Sequence, residues 1–105
     1  MLDVTGDPDG IPVVLLPAFG LARSMWHGQQ ESLVALGYRV VSVDLPGLSE
    51  VSEADFSMAG ARDAIAADLE RSVRRPAHLV GISLGATLAA WVALDHPERV
   101  ASLVP

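Results

Sequence analysis

The chain has 105 residues, half of them apolar, which is material for one small domain and no more. A net charge of −6 argues against a nucleic-acid surface and against contact with an anionic membrane. The absence of cysteine excludes disulfides, thiol catalysis and zinc–thiolate sites.

Met1 to Asp7 has neither a basic segment nor an apolar core, so no signal peptide is expected and a cytoplasmic, soluble protein is the default. Leu2 to Thr5 predicts a short strand, and Asp7-Pro8-Asp9-Gly10 a turn, with proline fixing the bend and glycine accepting positive φ. Val13 to Leu16 is a continuous apolar run that reads as a buried strand. The expected arrangement is a hairpin between these two strands. Pro17-Ala18-Phe19-Gly20-Leu21 is a loop. Ser24 is the expected N-cap of a helix running to about Leu36, with Gly37 as its C-terminal stop and Met25, Trp26, Leu33, Val34 and Leu36 on one apolar face.

Arg39 to Asp44 gives the next strand, ended by Leu45-Pro46-Gly47. Glu50 to Phe56 is acidic and irregular. Ser57 is placed to cap a helix in which Met58, Ala61, Ile65, Leu69 and Val73 recur at helical spacing. A strand at His78-Leu79-Val80, a helix from Ala86 to Leu94 stopped by His96-Pro97, and a strand at Val100 to Val104 follow. The longest apolar stretch, Leu79 to Leu94, is too short to span a bilayer. Strands alternating with single helices predict an α/β fold over residues 1–105: right-handed βαβ crossovers, a mostly parallel sheet and helices on both faces as a three-layer sandwich.

Between the third predicted parallel strand and its helix lies Gly81-Ile82-Ser83-Leu84-Gly85. A G-x-S-x-G in that position has the form of a nucleophile elbow, in which serine sits on a sharp turn with its hydroxyl projecting. Side chains two residues to either side would collide with the crossing strand and helix, and glycine removes them. The helix start aims free N–H groups at the same point, which makes the N–H of Leu84 a natural donor to a developing oxyanion. The competing structural explanation is that Gly81 and Gly85 only allow close packing while Ser83 caps the helix.

Three stretches resemble the α/β-hydrolase superfamily, in particular its single-domain esterase, lactonase and carbon–carbon-bond hydrolase branch. They are Val13 to Gly20, Gly37 to Gly47, and His78 to Val104. The resemblance implies that Ser83 is the nucleophile of a hydrolase acting on an ester, lactone or similar acyl substrate. It also implies that the N–H groups of Phe19 and Leu84 form the oxyanion hole. The sequence departs from the family at Pro17-Ala18, where His-Gly is usual, at Leu48 to Val51, and at Ala86. In the family's order the acid and then the histidine follow the nucleophile beyond the strand at Val100 to Val104. The resemblance therefore covers an N-terminal portion, which alone is expected to be nearly inert.

His27 reads as a solvated helix residue, His78 lies at the wrong end of its strand, and His96 is a whole helix away from Ser83. Neither metal nor cofactor is expected. Two alternatives stay open: a non-catalytic descendant that binds a ligand or partner, and a Rossmann-like nucleotide module. The latter needs G-x-G-x-x-G, where this chain has Ser83 and Ala86 at the second and third glycine positions. Val100 to Val104, with no lysine and no bulge expected, is an exposed edge through which the chain is expected to self-associate.

Overall fold

A computed structural model describes residues 2–17, 23–43, 58–73 and 75–104. Five strands, β1 (Leu2–Gly6), β2 (Pro12–Leu16), β3 (Arg39–Val43), β4 (Ala77–Gly81) and β5 (Val100–Val104), form one sheet in the order β1-β3-β2-β4-β5. Neighbours from β3 to β5 pair in parallel, while β1 is antiparallel to β3. Helices α1 (His27–Ala35), α2 (Met58–Ser72) and α3 (Leu84–Asp95) link successive parallel strands.

The first crossover moves one way along the sheet and the next two move the other way. Connections of one hand must then put α1 on one face and α2 and α3 on the opposite face. The two cores have that distribution. Val14, Leu16, Val41, Val43, Ala77 and Leu79 pack with Ala61, Ile65, Leu69 and Val73 of the α2 segment and with Leu88, Ala89 and Val92 of α3. The alternate residues Val13, Leu15 and Val40 pack with Trp26, joined by Leu33 and Val34 of α1. Burial on both faces is why these strands read as unbroken apolar runs rather than alternating ones.

The predicted hairpin does not form. β1 pairs with β3, because β3 already occupies the flank of β2 and β1 can join only outside it. The turn between β1 and β2 rides over the start of β3. A Cβ on Gly10 would come within 2.4 Å of the Gly37 carbonyl oxygen, and one on Gly6 within 2.2 Å of that of Tyr38. The N–H of Arg39 donates to the Ile11 carbonyl at 3.1 Å, closing that crossing.

Ser24 does not cap α1. It lies within a 3-10 turn, Arg23–Trp26, and the N-cap is Trp26. At the other end Gly37, with φ of 91°, closes the helix as expected. The N–H groups of Gly37 and Tyr38 reach back to the carbonyls of Val34 and Leu33, a complete Schellman motif. That closure turns Leu36 outward, 74% exposed, and not into the apolar face. Ser57 and Asp44 lie outside the described residues. β5 also departs from expectation: its register slips between Ala77 and His78, leaving Ala101 as an extra residue. Among the described residues no helix is long and apolar enough to cross a membrane.

Candidate active site

Parallel strands β2 and β4 are neighbours whose following crossovers leave toward opposite faces. Such a switch point opens a crevice at the carboxyl ends of the two strands, the usual ligand position in an open α/β sheet. Their last paired residues are Leu16 and Gly81. Ser83 stands two residues past that pair, and Phe19 follows the other strand in sequence. Phe19 itself lies outside the described residues.

At the elbow the N–H of Gly85 donates to the Ile82 carbonyl at 3.0 Å, closing a four-residue turn. Ser83 is its second residue, with φ 56° and ψ −118°. These are the torsions of a type II′ turn, where glycine is the ordinary occupant. Ser83 is the only described non-glycine residue with positive φ. Its side chain is exposed and makes no cap hydrogen bond to α3, so capping does not explain the serine.

The flanking glycines have separate steric reasons. A Cβ on Gly81 would lie 2.5 Å from the backbone of Gly85 and 2.6 Å from the nitrogen of Ala86, inside the start of α3. A Cβ on Gly85 would lie 2.4 Å from the Leu16 carbonyl oxygen and 2.5 Å from that of Pro17. Gly81 thus lets the helix begin directly over its own strand. Gly85 lets the helix start press against the end of β2. Leu84 opens the helix, and as the first helical amide its N–H has no intrahelical acceptor.

The described histidines lie elsewhere. His27 is exposed on α1 and pairs with Glu31 at 3.2 Å. His78 holds Ser102 of β5 through Nδ1 at 2.5 Å, five residues before Ser83 and so about 16 Å along an extended strand. His96 follows the last turn of α3, roughly 18 Å from its start, beside Glu98. Among the described residues no group of three or more acidic or histidine side chains is placed to hold a metal. Trp26 is buried in the α1-side core and also walls a groove of about 360 Å³ with Leu15, Leu33 and Val80, rimmed by Gln29 and Ser32. Trp26 thus serves both as core and as groove wall.

A family model described as the alpha/beta hydrolase fold matches residues 11–104. The chain is 39% identical over 98 residues to a pimeloyl-(acyl-carrier protein) methyl ester esterase of Aeromonas hydrophila, covering 90% of this chain and 37% of that protein. It is 36% identical over 104 residues to the rhodomycin D methylesterase DnrP of Streptomyces peucetius, covering 93% and 35%. The solved structure of Rv0554 from Mycobacterium tuberculosis superposes with a TM-score of 0.86 at 31% identity, over 97% of this chain and 38% of that one. The chain spans little more than a third of the length of these relatives.

Proposed function

The chain belongs to the α/β-hydrolase fold family, and from that membership we propose that it carries the nucleophile of an ester hydrolase working through an acyl-enzyme on Ser83. The observation that carries this reading is the exposed serine held at φ 56° between two glycines that no larger residue could replace. A merely structural turn would be more stable with glycine at that position.

In this mechanism Ser83 Oγ attacks the carbonyl carbon of an ester, and a base takes the hydroxyl proton and returns it to the departing alcohol. The oxygen that becomes negative is met by the N–H of Leu84, at the positive end of α3, and by that of Phe19. Hydrolysis of the acyl group by water restores the serine. The methyl-ester-cleaving relatives support an ester as the substrate class.

His78 and His96 stand about 16 Å and 18 Å of chain away from Ser83, and His27 is engaged with Glu31, so the 105 residues are expected to turn over esters scarcely faster than buffer. In subtilisin, loss of the histidine alone costs on the order of a million-fold. Exogenous imidazole supplies the missing base. Incubating the chain with p-nitrophenyl acetate and imidazole is expected to deposit an acetyl group on Ser83, read by peptide mass spectrometry and absent from Ser83→Ala. An adduct pattern unchanged by Ser83→Ala would overturn the assignment.

A further inference from the structure

Ser83 and Leu84 share one peptide unit, and the two ends of that unit have different partners. Its N–H, on Leu84, has no acceptor within α3. Its carbonyl, on Ser83, accepts twice from a single residue. The Thr87 N–H donates to it at 3.2 Å, as the helix requires, and the Thr87 hydroxyl donates to it at 3.5 Å. The helix does not require the second donor. Thr87 is exposed, in a segment that also holds Ala86, Ala89, Ala90 and Ala93, and alanine is the better helix former. These contacts lie within one turn of the chain, so they hold whatever else packs around the elbow.

We propose that Thr87 is a positioning residue for the oxyanion donor on Leu84, acting through the shared peptide; this rests on the assignment of Ser83 as nucleophile. A trans peptide is planar, so its C=O and N–H point in opposite directions, and fixing the carbonyl aims the amide. A donor on the carbonyl also draws electron density from the nitrogen, which makes the N–H a stronger donor in turn. The coupling runs both ways. As the N–H meets a developing negative charge the carbonyl becomes a better acceptor, and the hydroxyl bond, long in the resting site, shortens. One oxyanion donor is worth about 10²–10³ in rate, and a linked bond strengthens such a contact by about 10–30%. Loss of the hydroxyl is therefore expected to slow Ser83 acylation by about two- to eight-fold.

Thr87→Val keeps the branched shape and removes the hydroxyl, and Thr87→Ser puts it back. Acylation of Ser83 in imidazole is followed with p-nitrophenyl acetate and with its thiono analogue, whose sulfur accepts hydrogen bonds poorly. The ratio of the two rates reports the donor, whereas a general loss of structure slows both alike. That ratio is expected to fall about two- to eight-fold in Thr87→Val and to recover in Thr87→Ser. Independently of any reaction, the Leu84 amide nitrogen resonance is expected to move upfield in Thr87→Val and to return in Thr87→Ser. Circular dichroism checks folding, and Thr87→Ala replaces Thr87→Val if the latter does not fold. An unchanged ratio, equal slowing with both reagents, an unmoved Leu84 resonance or no recovery in Thr87→Ser would overturn the proposal and leave Ser83 as the nucleophile. A wild-type ratio no larger than that of N-acetylserinamide in the same buffer would remove the Leu84 donor, and with it both readings.

Discussion

Ser83 and its two glycines form one steric unit, and each member predicts a different response. Gly85→Ala drives a methyl group to 2.4 Å from the Leu16 carbonyl oxygen, and Gly81→Ala drives one into the backbone of Gly85. Neither neighbour is a flexible side-chain end, so each substitution is expected to destabilise by about 2–4 kcal/mol, seen as a lower urea midpoint. Gly28→Ala, in α1 with nothing within 4 Å of the added carbon, is expected to raise stability by about 0.5 kcal/mol and serves as the contrast. Ser83→Gly relieves the positive φ and is expected to stabilise by about 1 kcal/mol while abolishing acetylation in imidazole. A loss of stability in Ser83→Gly would mean the serine side chain has a packing role that its exposure does not suggest.

Between elements, a polar chain runs through the α1 face of the sheet. Gln30 of α1 donates to Thr5 of β1 at 2.9 Å and accepts from the hydroxyl of Ser42 at 3.3 Å. Ser42, on β3, is the one buried polar residue of the described core, 1% exposed. Gln30→Ala strands that hydroxyl without water and is expected to cost about 1–3 kcal/mol. Adding Ser42→Ala removes the orphan, so the double variant should be more stable than Gln30→Ala alone. Because the same glutamine ties β1 to α1, amide exchange should quicken in β1 before it does in β2. Additive losses in the two single variants, measured by denaturant unfolding, would show that the three side chains do not act as a network.

At the scale of the whole molecule, the described residues cover the two sheet faces unequally. Among the described residues α2 and α3 pack on one face, while α1 packs on the other and leaves the groove between Trp26, Leu33 and the Leu15–Val80 floor. Unshielded apolar surface of this kind binds hydrophobic probes. In a Trp91→Phe background, where Trp26 is the sole indole, an anilinonaphthalene dye is expected to quench native tryptophan emission and to lose that effect in Val80→Asp. Dye binding indifferent to Val80→Asp would place the open surface elsewhere.

Local rules carried much of the chain. Helical spacing placed Ala61, Ile65, Leu69 and Val73 on the buried side of α2, and the glycine at position 37 ended α1, because both depend on neighbours within a few residues. The elbow was legible for the same reason: a serine between two glycines, between a strand and a helix, is a five-residue pattern. What the pattern could not give was the partner of Gly85, since the carbonyls of Leu16 and Pro17 that it meets are nearly seventy residues away in sequence. Pairing partners were equally out of reach. The turn at Asp7 to Gly10 closes through the Gly10 N–H to Asp7 carbonyl bond, although Gly10 does not take the positive φ expected of it. It still led to the wrong hairpin, because β3 competes for the flank of β2 through a crossover that local propensity does not encode. The register slip at Ala101 belongs to the same class, set by how β5 must lie against β4 and not by its own five residues. Sequence alone determined which segments are strands, helices and elbow. Tertiary structure decided which of them touch, because strand order and close backbone approach are properties of distant pairs.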